Sequence, residues 1–285
     1  MPNPKNPNWY MGATGGGAMW PGAGDIYYCN GISGSNANDG LTPNAPKLTL
    51  TAALALCVND HDDYIIVQDY WQPAGEVWPI HVNKSKVHII GVKSGNNFRQ
   101  WTAMHPPADT AVLSIEADNV RVENLALWAG ASHGGIEFVS GVGDGIFNCM
   151  FMSSLYGIYA EVNTVAWGLE IAGCYFTSLT GQCIYLDNPA TSWIHDNMFN
   201  EAVGCAIEVI RPGGMNITNN IIGLAANTAG LAITLGAGTT NALVSGNVAN
   251  FGDTDMGNNP FLDNAVAGTN NWMNNMLGIT LIQPG

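Results

Sequence analysis

Ile146-Phe147-Asn148-Cys149-Met150-Phe151 returns as Ile171-Ala172-Gly173-Cys174-Tyr175-Phe176, as Ile194-His195-Asp196-Asn197-Met198-Phe199 and as Ile217-Thr218-Asn219-Asn220-Ile221-Ile222. In each copy an apolar residue is followed two places later by Asn, Gly or Asp, residues that tolerate a left-handed turn. Two mostly large and apolar residues follow one place later. The pairs Ile89/Gly91 and Val122/Asn124 precede this run, and Val244/Gly246 and Trp272/Asn274 follow it. From Asn124 onward the turn residue recurs every 23 to 28 positions. A fixed period of that size marks stacked repeats rather than a globular mixture of elements.

A second apolar column, Ile136, Ile158, Ile184, Ile207 and Ile233, keeps the same period. Two columns per repeat mean at least two short strands per coil. Leucine-rich repeats share the period but need regular Leu spacing and helices, and neither is present. The fold class is therefore all-β: a right-handed, single-stranded parallel β-helix, a solenoid roughly 40 Å long at ~4.8 Å per coil. The position after the turn reads Leu125, Cys149, Cys174, Asn197, Asn220, Asn247, Asn275. Stacked amides hydrogen-bond along the axis of such a stack, so the four Asn form a candidate ladder. Cys149 and Cys174, in the same column, read as small buried thiols.

Composition agrees. Charged residues are 11% of the 285 and Gly numbers 35, which suits short strands and tight turns. The net charge is −14, and beyond Glu123 the single basic residue is Arg211. Such a surface repels phosphate backbones, so no nucleic-acid partner is expected. The six cysteines make no CxxC pair, and neither a metal nor a cofactor is expected. No apolar run is long enough to span a membrane. Met1-Pro2-Asn3-Pro4-Lys5-Asn6 lacks the apolar core of a signal peptide, so synthesis in a cytoplasm is expected.

Residues 1–24 read as an arm rich in Gly, Pro and Asn, and 25–285 as the solenoid domain. Lys47 to Val58 reads as an amphipathic cap helix with Leu48, Ala52, Ala55 and Leu56 on one face, and 269–285 as a last coil and tail. The arm carries Trp9, Tyr10, Met11, Met19 and Trp20. Aromatic side chains in a segment without periodicity suit docking on a partner surface, although an arm folded back on its own domain fits as well.

The opening, a short strand, then Gly31-Ile32-Ser33-Gly34-Ser35-Asn36-Ala37-Asn38-Asp39-Gly40-Leu41-Thr42-Pro43, a helix and Asp63-Tyr64-Ile65-Ile66-Val67, resembles the start of pectin-lyase-like β-helix proteins. Val87-His88-Ile89-Ile90-Gly91-Val92 resembles their first full coil. The resemblance runs from Asp25 to about Leu281 and is specific for fold rather than activity. It implies polysaccharide lyases, glycoside hydrolases, bacteriophage tailspikes or virion structural proteins.

Pectin-type relatives hold a polyanion with basic groups and clustered aspartates. From Val122 onward this chain offers Arg211, His133 and His195. His195, at a strand end, reads as structural. Counting outward from the second column gives Glu137, Tyr159, Tyr185, Glu208 and Thr234, and two positions further Glu161 and Asp187. Glu161, Asp187 and Glu208 are the catalytic candidates if the chain is an enzyme, because adjacent coils would set Glu161 and Asp187 ~5 Å apart, near the retaining-glycosidase separation. Tyr159 and Tyr185 are candidate sugar platforms. A solvated acidic face explains the same residues, and the balance is against catalysis. The expected role is a structural protein of a bacteriophage particle, capsid-decorating or fibre-like, located in the virion. It would be a homotrimer anchored to a capsid or tail protein through the arm. A tailspike-type protein that binds or cleaves a host glycan is the alternative, and a polysaccharide lyase or glycoside hydrolase the next.

Overall fold

The structure is a computed structural model, and it describes residues 24–92, 101–161, 164–211, 213–224, 231–251, 260–266, 268–277 and 280–282. Trp9, Tyr10, Met11, Met19 and Trp20 lie outside the described residues. The chain is a parallel β-helix with three strands per full coil. Ten strands, from Ile26–Cys29 to Asn271–Met273, form the first sheet. The second begins at Thr102–Met104 and runs through Met150–Met152, Tyr175–Thr177, Met198–Ala202 and Ile221–Leu224 to Asn275–Leu277. The third runs from Ile80–Val82 through Gly134–Phe138, Tyr156–Ala160, Ile184–Asp187 and Cys205–Ile210 to Phe261–Asp263.

Both columns lie inside. Ile146, Ile171, Ile194, Ile217 and Val244 pair rung by rung and are at most 1% exposed. Ile136, Ile158, Ile184, Ile207 and Ile233 pair likewise at 0% exposure. The sharp turn between first and second sheets works as the sequence requires. Asn148 has φ 50°, Asp196 55° and Asn219 58°, with Gly173 and Gly246 at 65° and 68°. One backbone geometry thus repeats with whichever residue tolerates it.

Behind each turn the Asn ladder forms. Asn197 Nδ2 donates to Asn220 Oδ1 at 3.0 Å, Asn220 to Asn247 at 2.9 Å and Asn247 to Asn275 at 2.9 Å. The second Nδ2 hydrogen of Asn220 goes to the Ile194 carbonyl at 3.1 Å, and Asn220 Oδ1 also accepts the Asn197 amide at 3.1 Å. Every polar atom of a buried amide is thereby used. Cys149 and Cys174 continue the column as buried free thiols, and the Cys174 amide donates to Asn197 Oδ1 at 2.9 Å. Next to the ladder Phe151, Phe176 and Phe199 stack at 4.8 and 4.7 Å, rings nearly parallel.

The cap helix is shorter than the sequence suggests, Leu50–Leu54 in place of 47–58. Its buried residues are Leu50, Ala53 and Leu54, joined by Cys57, while Ala55 is exposed and Leu48, Ala52 and Leu56 are half-buried. Local bonding sets the start. Lys47 bridges to Cys29 as extended backbone, the Thr49 hydroxyl accepts the Ala52 amide at 3.2 Å, and Glu76 Oε2 accepts the Leu50 amide at 2.7 Å. At the other end Thr280–Ile282 turns back antiparallel on Asn275–Leu277, covering an edge that would otherwise template further pairing.

The first residue of each large apolar pair points outward. Met150, Tyr175, Met198, Ile221, Val248 and Met276 follow one another in register along the outer face of the second sheet. Phe151, Phe176, Phe199 and Ile222 point in.

Candidate functional site

The outward file of the third sheet holds the residues expected there. Glu137, Tyr159, Tyr185, Glu208 and Thr234 pair in succession. Tyr159 and Tyr185 stack at 5.5 Å and 23°. Tyr156 joins at 4.6 Å from Tyr159. Strict alternation missed Tyr156, because the Gly157 and Ile158 amides both donate to the Cys183 carbonyl and the chain slips one step there. Burial and the neighbouring acids, Glu161 for Tyr159 and Glu208 for Tyr185, hold both phenols above their usual pKa, so they remain protonated donors. The rings turn their faces to each other.

The three carboxylate candidates do not share one exposed face: Glu161 is exposed, Glu208 half-buried and Asp187 buried. Asp187, expected outward, is 1% exposed. Arg211 on the next coil closes on it with a two-pronged contact, Nε to Oδ1 at 2.9 Å and Nη2 to Oδ2. The reason is that the outward rule ends with the strand: Asp187 is its last residue and pairs with Ile210, immediately before Arg211. Glu161 is exposed just beyond the paired Ala160. Glu208 Oε2 accepts the Gln182 amide at 2.8 Å, and Glu137 accepts the Gly134 amide at 2.9 Å and faces His133 at 3.1 Å. Glu137 and Glu208 stand three rungs apart, about 14 Å. Two-carboxylate glycoside hydrolysis needs about 5 to 9.5 Å.

Residues singled out elsewhere are also committed. His195 faces Glu170 at 3.1 Å and Asp196 at 2.7 Å and stacks on Trp193, as a structural His would. Burial pushes the thiols of Cys57 and Cys205 up to about 12 and raises those of Cys29, Cys149 and Cys183 as well, which removes them as nucleophiles. Asp25, His61 and Asp63 bring one ligand atom each within 4.8 Å of the others. Asp63, however, already accepts the Val58 and Asp25 amides and His61 Nδ1, each at 2.7 Å, which ties the turn together.

The sequence reading missed a cleft of about 360 Å³ on the first sheet, bordered by Lys86, His88, Arg121, Phe147, Asp144 and Glu170. It exists because Gly143, Gly145 and Gly168 place no side chain there. Its charges are paired: Lys86 with Asp60, His88 with Asp62 at 2.7 Å, and Arg121 with Glu123 while lying 4.2 Å over the Phe147 ring. Asp144 is 2% exposed, and burial raises its carboxyl to about 7 although the Val120 amide donates to it at 2.7 Å. An acid between two glycines, Gly143-Asp144-Gly145, was the available signal.

No protein family and no curated protein matches the chain. Solved structures do. A rhamnogalacturonan lyase aligns with 92% of this chain and 89% of its own at TM-score 0.51 and 14% identity. Pectate lyase Pel9A aligns over 90% and 77% at 0.47 and 14% identity. The GH136 lacto-N-biosidase from Eubacterium ramulus aligns over 90% and 68% at 0.41 and 11% identity. At such identities the likeness concerns architecture, and the first of them carries it. The chain has the parallel β-helix fold that it shares with the rhamnogalacturonan lyase.

Proposed function

We propose that this chain is a structural, non-catalytic β-helix protein of a bacteriophage particle, capsid-decorating or fibre-like. The observation that supports it is the Asp187–Arg211 pair. It ties the best-placed acid of the third-sheet face into an ion pair with Arg211, and Glu137 and Glu208, at the two ends of the tyrosine file, lie too far apart for two-carboxylate chemistry. The phage context rests on the resemblance of the opening motif and coils. A homotrimer, a capsid or tail protein as partner, the arm 1–24 as anchor and a place in the virion belong to the same proposal. Quantitative mass spectrometry of purified particles of the phage that encodes this sequence tests it. Stoichiometric copies are expected. Absence from the particle overturns the reading, as does polysaccharide cleavage by the isolated chain that a folded Asp187→Asn variant lacks.

A tailspike-type contact with a neutral host glycan is the second reading, favoured by Tyr156, Tyr159 and Tyr185 beside Gln182 and Glu208. Calorimetric titration with neutral host oligosaccharides is the test, with binding lost in Tyr185→Ala. Cleavage of a polysaccharide, as the names of the fold neighbours would suggest, is the third reading, and the same cleavage assay decides it.

A further inference from the structure

The cleft on the first sheet has a local cause in the turn that precedes each strand there. Lys86, Asn119, Gly143 and Gly168 hold the same place on four successive coils, two residues before His88, Arg121, Gly145 and Glu170. All four have positive φ, at 57°, 56°, 77° and 64°. Two successive glycines then leave one wall of the cleft without side chains, and a Cβ on Gly143 would lie 2.7 Å from Asn119 Oδ1. In the strands themselves Gly145 separates Arg121 from Glu170 in the outward file.

The groups around this gap keep unused bonding capacity. Arg121 gives Nε to Glu123 and lies over Phe147, and among the described residues its two Nη nitrogens have no hydrogen-bond partner. Lys86 Nζ stands 3.6 Å from Asp60, too far for a hydrogen bond. Glu170 gives Oε1 to His195 at 3.1 Å, and among the described residues its Oε2 has no partner. Arg121 and Glu170 make no ion pair with each other. Unused cationic donors therefore border one end of the gap and an unused carboxylate oxygen the other, with the half-buried Phe147 ring on the rung between them.

We infer that this cleft binds a small zwitterion of the α-amino acid class, its carboxylate on Arg121 and Lys86, its ammonium on Glu170 and an apolar side chain against Phe147. Charge selects that chemistry. A simple anion is repelled by a chain of net charge −14, and a simple amine is repelled by Lys86 and Arg121. A zwitterion has no net charge and meets both ends. Size agrees, because about 360 Å³ is at the small end of the roughly 300–1,000 Å³ range of ligand pockets. The inference does not rest on the particle reading, which concerns neither this cleft nor this sheet.

Thermal melts of the full chain at neutral pH, with each of the twenty L-amino acids at about 10 mM, test it. An apolar amino acid, L-leucine or L-phenylalanine among the probes, should raise the midpoint by a few degrees, as a ligand that binds only the folded chain does. Its amide, which lacks the carboxylate, and its deaminated acid, which lacks the ammonium, should give less than about a third of that shift. Arg121→Gln and Glu170→Gln, each compared with its own unliganded midpoint, should lose the shift. Glu161→Gln, an exposed acid outside the cleft, should keep it. Circular dichroism reports the fold of each variant. If Arg121→Gln does not fold, Glu170→Gln, at a side chain 43% exposed, still decides. The inference is overturned by no shift with any amino acid, or by one similar shift with all twenty, as general osmolyte stabilisation would give. An equal shift from the amide or the deaminated acid, an unchanged shift in folded Glu170→Gln or an equal loss in Glu161→Gln overturns it as well.

Discussion

Arg211 reaches across one coil to Asp187, its Nε at 2.9 Å from Oδ1 and its Nη2 on Oδ2, and covers a carboxylate that is 1% exposed. The arginine itself stays about half in solvent, its side chain 45% exposed. Asp187 thus has its charge neutralised by the one guanidinium of the later coils, and the pair staples two successive coils at the edge of the third sheet.

Arg211→Ala should cost about 3–5 kcal/mol in chemical denaturation, because it strands a buried charge. Arg211→Lys should recover only part of that, since a point charge cannot reproduce the two-pronged contact. A loss under about 1 kcal/mol for the alanine variant would mean that Asp187 has water access in solution.

Asn220 and Asn247, each bonded to both neighbours of the amide ladder, should be its least replaceable residues. Asn220 donates to Ile194 and Asn247 and accepts twice from Asn197. Asn220→Leu leaves several buried groups unpaired at about 1–3 kcal/mol each, so a loss on the order of 3–6 kcal/mol in denaturant titration is expected. Cys149→Ala, in the apolar part of the same column, should cost about 1 kcal/mol.

Asp144 should make stability fall as pH rises from about 4 to 7. Its carboxyl, raised to about 7 in the folded chain against 3.8 ordinarily, keeps its proton in the folded state through that window while the unfolded chain loses it. The stability it contributes is complete below the ordinary value and is lost as pH climbs through 7. Asp144→Asn keeps an acceptor for the Val120 amide and removes the titration. The variant should be the more stable one at neutral pH, by on the order of 3–4 kcal/mol at most. Thermal melts of both proteins across this range give the comparison, and parallel pH curves would refute the assignment.

Gly157→Ala should disturb the interior aromatic stack. A Cβ there would lie 2.6 Å from the Phe176 ring and 2.7 Å from the Cys183 carbonyl. Overpacking of this kind costs about 1–3 kcal/mol, and near-ultraviolet dichroism of the stacked rings should change with it. Gly75→Ala is the contrasting case: no atom lies within 4 Å of an added Cβ, and only the positive φ of 82° opposes it.

The period of the turn residue, the two apolar columns and the Asn file were legible in the chain itself. Each rests on one chemical requirement repeated at fixed spacing: a left-handed turn at Asn148 or Gly173, an apolar interior at Ile158 or Ile184, an amide that meets the next at Asn220. Stacking converts a sequence period into a column whatever the details of the loops. The fate of individual side chains at strand ends was not legible in this way. Asp187 is buried because Arg211, one coil away, covers it, a coincidence between strand ends that no period encodes. Tyr156 turned outward because Gly157 let the backbone slip. The third strand of each coil went unread because its buried member, as in Phe151 or Phe176, directly follows the outward residue, so two adjacent apolar residues conceal an in–out alternation. The amino-acid sequence by itself determined that this chain coils and which residues line its interior. The tertiary structure alone decided which acids are neutralised and which apolar residues face solvent, because both depend on contacts between coils some 25 residues apart.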